Sequence, residues 1–419
     1  VKPALAVGID IGTSGVRAAA LDEDGETVGG GEARFHDAAA ARDPAAWWLA
    51  LEAAVAALRE DTPIDEVLAV AVDGTSGTIL AIDEDGRPVA PPAMYNDPCD
   101  DPDIVASVAR HAPPSSPARG ATSPLAKAVV LARRGGVHRI VHQADWLAMR
   151  LGEGAAVSDE NNALKTGYGL DERAWPDWIE AAGLDRALLP EVRPAGARIG
   201  PVGEAGLALG FGSAAMVHCG TTDGCASFLA TGASEIGDGV TALGSTLVLK
   251  LLSAARIDAP DHGVYSHRIG SLWLAGGASN SGGAVIRALL PDADLDALTR
   301  QVDPERPTGL GYYPLLRPGE RFPTSDAALA PRLLPRPADD AVFFQGLLEG
   351  IADIEAEGYR RLASLGGPPL GSVRTVGGGA QNLRWQAIRE KKLGVPFLAP
   401  RSLHAAAGVA RLALLELRR

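Results

Sequence analysis

A chain of 419 residues with 46% hydrophobic residues has the length and apolar content for two or three folded domains, and disorder is not its default. Its net charge of −13, with no long Lys/Arg run, argues against a nucleic-acid or membrane-surface partner. An anionic substrate stays open, because a nest of backbone N–H groups binds phosphate even in an acidic protein.

The three cysteines, Cys99, Cys219 and Cys225, are too few for a disulfide scaffold and suit a reducing compartment. "VKPALAVGID" enters a strand at once, without the features of a signal peptide. No apolar run reaches the roughly 18 residues of a membrane span. The expectation is a cytoplasmic protein.

In chain order, residues 4–10 are apolar and β-prone and read as a buried strand. Gly12-Thr13-Ser14-Gly15 breaks it. Residues 16–21 resume as a strand, and Asp22-Glu23-Asp24-Gly25 reads as a hairpin turn. Residues 44–60 carry a helical pattern, with Pro44 near the start and Asp43 as N-cap. Residues 67–72 form the next strand and feed a second Gly-Thr-Ser-Gly. "GIDIGTSGVRAAALDEDG" is thus echoed by "VDGTSGTILAIDEDG", and both read as hairpins with similar turns. Residues 97–119, rich in Pro, Asp and Ser, read as irregular, and helices are expected near 125–134 and 143–150. Residues 216–232 read as a strand, a Gly-Thr-Thr-Asp-Gly turn and a short helix. The grammar then restarts. "GVTALGSTLVLKLLS" gives strand, turn, strand, and "SLWLAGGASNSGGAVIRALL" gives strand, Gly-rich loop, helix. A long helix follows at 341–365. "VRTVGGGAQNLRWQAIREKKLG" is strand, triple glycine and helix, and 403–418 is a closing helix. The pattern is α/β in two halves that divide near residue 230.

The chemistry-bearing residues sit in the turns. Gly12-Thr13-Ser14-Gly15 can form an anion-binding concavity. Asp10 beside it would repel an anion unless a divalent cation or a substrate hydroxyl lies between them. An ordinary Gly-rich hairpin is the alternative. In Gly220-Thr221-Thr222-Asp223-Gly224 a lone aspartate opens a helix, either as its cap or as a general base that takes a hydroxyl proton. Gly244-Ser245-Thr246 repeats the first turn in the second half. Gly377-Gly378-Gly379 lets backbone approach a ligand closely, with Asn382 and Trp385 opening the next helix. A tight connection without a ligand is the alternative there. Asn280, between Gly276-Gly277 and Gly282-Gly283, has the same ambiguity. There is no Walker A motif and no early dinucleotide fingerprint. The Gly-Thr-Ser-Gly turns lack the context of a nucleophile elbow.

The order of these signals resembles the FGGY carbohydrate kinases, of the actin-like ATPase superfold, along nearly the whole chain. It runs from an Asp-x-Gly-Thr hairpin through Gly-Thr-Thr-Asp and Gly-Ser-Thr to a late Gly-Gly-Gly-x-x-Asn. "GYYPLLRPGERFP" resembles that family's second-domain signature, and "AAAGVARLA" its closing helix. "QADWL", "NALKTGY", "GVYSH", "GGASN" and "QGLLEG" are similar to the short, xylulokinase-like branch of cyanobacterial and plant D-ribulose kinases. The resemblance implies an α/β fold of two RNase H-like domains with an active-site cleft between them. The N-terminal domain would be 1–230, completed by the closing helix 403–419, and the C-terminal domain 231–402.

The resemblance also implies ATP-dependent phosphorylation of the terminal hydroxyl of a ketopentose. D-ribulose is the first expectation and D-xylulose the alternative. ATP and Mg²⁺ are the implied cofactors, no nucleic acid or membrane is a partner, and the protein is a monomer or homodimer. Carried over by position, Asp223 is the catalytic base, and Asp10 and Thr13 meet the transferred phosphoryl and its Mg²⁺. Asp10 and Asp223 would hold the metal, directly or through water. Asp10, Ser14, Gly74, Ser76 and Asp223 fall on the sugar side. Gly12, Thr13, Gly244, Ser245, Thr246, Gly377, Gly378, Gly379, Asn382 and Trp385 fall on the ATP side. Two positions depart from the pattern: His404 stands where many members have a carboxylate, and Gly224 where a bulkier residue is common. A non-catalytic sugar or nucleotide sensor would keep the glycine turns and could lose the base. An actin-like ATPase with a protein client would not need the sugar-side text.

Overall fold

The computed structural model describes residues 3–418. Three strands come first: β1 (Ala6–Ile11), β2 (Gly15–Leu21) and β3 (Thr27–Arg34). Helix α1 (Pro44–Asp61) begins where the Asp43 carboxylate accepts from the Ala45 N–H. Then come β4 (Ala69–Gly74), β5 (Ile79–Ile82), α2 (Pro102–His111), α3 (Pro124–Ala132), β6 (Arg139–His142) and α4 (Gln143–Leu151). Shorter pieces follow: β7 (Val157–Asp159), α5 (Glu160–Thr166), α6 (Trp178–Ala182), β8 (Glu191–Arg193), β9 (Arg198–Pro201), α7 (Glu204–Ala208), β10 (Met216–His218) and α8 (Asp223–Ala230). The chain continues through β11 (Asp238–Leu243), β12 (Leu247–Ser253), β13 (Tyr265–Ile269), β14 (Leu272–Ala278), α9 (Gly283–Leu289) and α10 (Leu295–Gln301). It closes with α11 (Asp340–Ser364), β15 (Ser372–Val376), α12 (Leu383–Leu393) and α13 (Ala405–Leu417). Two compact units result. One runs through Gly232 and resumes at His404; the other is Ala233–Leu403.

The first unit is built on a six-stranded sheet ordered β3-β2-β1-β4-β10-β9. β1 pairs antiparallel with β2 and parallel with β4, and β4 pairs parallel with β10. Alternation along β1 assigns its faces. Val7, Ile9 and Ile11 pack into a core with Trp47, Leu51 and Leu58 of α1. On the other face Ala6 packs with Val409 and Ala413 of α13. Small residues are required on that face. A Cβ on Gly8 would sit 2.0 Å from the Ala406 carbonyl oxygen, and one on Gly408 1.8 Å from that of Ala226 in α8. Helix α13 therefore lies tight on β1 and α8, and Asp10 follows Ala6 and Gly8 on the face it covers.

The second unit holds a five-stranded sheet ordered β13-β14-β12-β11-β15. It too begins with an antiparallel hairpin, β11–β12, whose first strand pairs parallel with a later strand, β15. Leu347, Ile351, Ile354 and Leu362 of α11 fill its core with Leu249, Leu251 and Trp385.

Two expectations are corrected here. The second Gly-Thr-Ser-Gly is not a hairpin turn: β4 and β5 do not pair, and β5 runs antiparallel to β6 in a separate two-stranded sheet. The cause is polar and distant in sequence. The Thr75 N–H and Oγ both donate to Gln143 Oε1, and the Gln143 N–H donates to the Thr78 carbonyl, so the chain after β4 is drawn to the start of α4. The Asp-Glu-Asp-Gly pieces do behave alike. Asp22 and Asp83 each accept from the N–H groups two and four residues on, and Gly25 and Gly86 take φ of 77° and 76°. Residues 97–119 also contain a helix, α2, which starts where the Asp101 carboxylate accepts from two N–H groups and Pro102 takes the first helical position.

Candidate active site

Parallel strands β1, β4 and β10 end along one edge of the first sheet, the edge where α/β sheets place their ligands. The register sets Asp10 opposite both Asp73 of β4 and Arg17 of β2. All three lie on the α13 face, so the side chains of Arg17, Asp10 and Asp73 form a row. Gly74, next on β4, bridges to Thr222, which brings the strand end before α8 into line.

Asp223 is the first residue of α8, and the structure separates it from the capping role. Thr222 Oγ caps the helix by accepting from the Cys225 N–H, while among the described residues the Asp223 carboxylate accepts only from its own neighbour, Gly224 N–H, at 2.7 Å. Asp223 is half-buried at the sheet edge, Asp10 nearly buried, and Asp73 wholly so. Burial raises the pKa of Asp10 and the Asp223 charge adds to it, while Asp73, Arg17 and His404 pull it down. Burial, then the Asp10 charge, hold Asp73 well above the usual carboxylate range, so it favours the neutral acid. Neither oxygen of Asp73 has another hydrogen-bond partner among the described residues beyond that coupling to Asp10.

Asp73 and Arg17 were not singled out in the sequence. "VDG" and "GVR" carry no motif of their own, and only strand register gives these residues meaning. His404, flagged as a departure, stands at the start of α13 and acts electrostatically on Asp10.

Thr13 and Ser14 are exposed at the tip of the first turn, which the Gly12 N–H closes onto the Gly15 carbonyl. In the second turn Ser76 Oγ is shielded from solvent and has no hydrogen-bond partner among the described residues. A buried hydroxyl without a partner is uncommon enough to need a reason. Lys127 props this turn from below, donating to the carbonyls of Gly77 and Met94, and its burial lowers its pKa to about 8. Asn161 Nδ2 donates to Thr221 Oγ and steadies the third turn.

The second unit has its own cavity, of about 620 Å³, lined by Gly244, Ser245, Arg287, Gly378, Gly379 and Asn382 among others. The triple glycine divides into three roles. Gly377 has φ of 86°, and a Cβ there would lie 2.8 Å from the Leu243 carbonyl oxygen. A Cβ on Gly379 would lie 2.7 Å from the Trp385 ring, whereas one on Gly378 meets nothing within 4 Å. Asn382 and Trp385 are largely committed to the protein. Asn382 caps α12 through the Trp385 N–H and donates to Thr299 Oγ, and the buried Trp385 indole donates to the Leu348 carbonyl. They shape the cavity wall.

Glu320, in the "GYYPLLRPGERFP" segment, is buried and accepts from Ser279 Oγ, the N–H groups of Asn280 and Arg321, and the Tyr313 hydroxyl. That carboxylate fixes the loop after β14. The loop in turn packs on Gly244–Thr246 through Gly283 N–H to the Gly244 carbonyl at 2.9 Å.

Residues 5–100 match the N-terminal domain of the FGGY family of carbohydrate kinases, and residues 239–417 match its C-terminal domain, so the chain belongs to that family. It is 25% identical to a xylulose kinase of Escherichia coli, covering 91% of this chain and 83% of that protein. It is 28% identical to a xylulose kinase of Streptomyces coelicolor, covering 94% and 84%. The crystal structure of xylulose kinase from Bifidobacterium adolescentis matches the fold with a TM-score of 0.82 at 22% identity, covering 100% of this chain and 93% of that one. The protein is a sugar kinase.

Proposed function

We propose that the protein transfers the γ-phosphoryl group of ATP to the terminal hydroxyl of D-ribulose, giving D-ribulose 5-phosphate and ADP. The observation that carries this reading is Asp223: a carboxylate at the sheet edge, free of capping duty, beside the row of Arg17, Asp10 and Asp73. Asp223 takes the proton of the terminal hydroxyl as its oxygen bonds to phosphorus and the bond to ADP breaks. Ser76 Oγ, without a hydrogen-bond partner among the described residues, supports a sugar hydroxyl in the second turn. Thr13 and the Gly12–Gly15 turn would meet the transferred group, and the cavity at Gly244, Ser245 and Gly378 would hold the nucleotide.

When bound, Mg²⁺ supplies charge neutralisation at the phosphates. Asp10 and Asp223, directly or through water, would hold it, and their hard oxygens suit it. Among the described residues no group of three or more His, Cys, Asp or Glu is poised around a metal. A cation that keeps waters and phosphate oxygens as ligands needs no more than one or two carboxylates.

Gly378→Val tests the nucleotide side. Of the three glycines, Gly378 alone accepts a side chain without meeting protein, so the added methyls enter the cavity and leave the fold intact. The expected result is a KM for ATP raised about tenfold or more, with the KM for sugar changed less than about threefold. Equal effects on both substrates would move the nucleotide to another loop.

The branch text noted in the sequence favours D-ribulose, and the names of the relatives favour D-xylulose as a second reading. The two sugars differ only in configuration at C3, so one polar contact decides between them. ADP release measured on D-ribulose, D-xylulose, L-ribulose and glycerol separates the readings. The expected kcat/KM for D-ribulose exceeds that for D-xylulose by about tenfold or more, equivalent to one hydrogen bond of roughly 1.4 kcal/mol. The reverse order makes D-xylulose the substrate, and turnover of none points to a sensor.

A further inference from the structure

Arg287 has no place in the family motifs, yet the fold puts it at the Gly-Ser-Thr turn. It lies one helical turn into α9, whose start is pinned to that turn. The Gly283 N–H donates to the Gly244 carbonyl, and the Ala284 N–H donates to the Ser245 carbonyl at 3.0 Å. Gly282 allows this approach: a Cβ there would sit 2.8 Å from the Ser245 carbonyl oxygen. With the backbone so fixed, Arg287 Nη2 reaches Ser245 Oγ at 3.0 Å.

Three observations bear on what Arg287 is for. No carboxylate lies within ion-pairing distance of it among the described residues, so its charge is not already neutralised by the protein, unlike that of Arg389 beside Glu355. Among the lining residues of the 620 Å³ cavity it is the only cation. One bond to a neutral hydroxyl leaves most of its five donors for something else. A planar guanidinium with spare donors at a glycine-hydroxyl turn fits phosphate oxygens, which it can grip in pairs. The one acid in the lining, Asp296, suits sugar hydroxyls and not phosphate.

We propose that Arg287, with Ser245, is the phosphate clamp of the nucleotide cavity and binds the polyphosphate of ADP and ATP by paired, charge-assisted hydrogen bonds. This rests on the reading of that cavity as the nucleotide site. The clamp makes the cavity discriminate phosphorylated nucleotides from the bare nucleoside.

Calorimetric titration of the full chain with Mg-ADP and with adenosine tests it. The wild type is expected to bind ADP more tightly than adenosine. Arg287→Met should weaken ADP by about 10–100-fold, the range of a hydrogen bond to a charged group, and leave adenosine within about threefold. Arg287→Lys should fall between them, keeping the charge and losing the fork. The side chain is exposed, so these variants should melt with the wild type. An Arg287→Met protein that binds ADP normally, or that loses adenosine as much as ADP, overturns the clamp and leaves the nucleotide reading in place. A wild type that binds neither compound overturns the nucleotide reading itself, and the clamp with it.

Discussion

Asp223→Asn is expected to lower kcat by about 10²–10⁴-fold in protein that still folds and still binds ATP, the amount a general base contributes. The size of the effect follows from what the substitution spares. Thr222 caps α8, so the helix start does not depend on the Asp223 charge. The amide can still accept from the Gly224 N–H, as the carboxylate does at 2.7 Å. What it cannot do is take a proton from an alcohol. The loss should therefore fall chiefly on kcat, with ATP still bound and the melting temperature unchanged. Rapid-quench measurement of the chemical step, beside steady-state kinetics, gives the answer. Turnover near the wild-type rate would remove Asp223 from the reaction and return the capped helix start to a purely structural role.

The largest stability effect is expected at Arg389. Its guanidinium meets Glu355 through two parallel bonds, Nε to Oε2 at 2.6 Å and Nη2 to Oε1 at 2.7 Å, with both side chains 1% exposed. Nη1 also donates to Thr375 Oγ on β15, and Thr241 Oγ on β11 donates to Glu355. The pair joins α11, α12 and two adjacent strands under the triple glycine. Arg389→Met removes one charge and strands the other in the interior, a loss of about 3–5 kcal/mol. Replacing both partners by apolar residues of similar size should recover most of it, because no unpaired charge is then buried. Urea unfolding of Arg389→Met, Glu355→Leu and the double variant measures this. Additive single losses would show that the two side chains act separately. Because Asn382 caps α12 and Trp385 lies on it, the single variant should also weaken nucleotide binding, and the double variant should restore it.

Asp43 and Asp101 before Pro44 and Pro102 make helix starts that need no distant partner. The first is legible in the sequence; the second lies in a segment whose Pro and Ser content reads as a loop. The Asp-Glu-Asp-Gly turns and the Gly244–Thr246 hairpin were legible for the same reason: each is closed by bonds within a few residues. The two Gly-Thr-Ser-Gly turns show the limit of such reading. Their local text is nearly the same, yet one closes a hairpin and the other leaves the sheet, because Gln143 lies 68 residues away and binds Thr75. The site divides along the same line. By itself the sequence determined which residue types could bind phosphate, metal or a sugar hydroxyl, and the turns that expose them. The tertiary structure decided which of them share an edge. It put Asp73 and Arg17 beside Asp10, freed Asp223 from capping, committed Asn382 and Trp385 to the cavity wall, and brought Arg287 to Ser245. Strand register and helix docking set those neighbours, and both come from burying apolar faces made of residues tens to hundreds of positions apart, which no local pattern encodes.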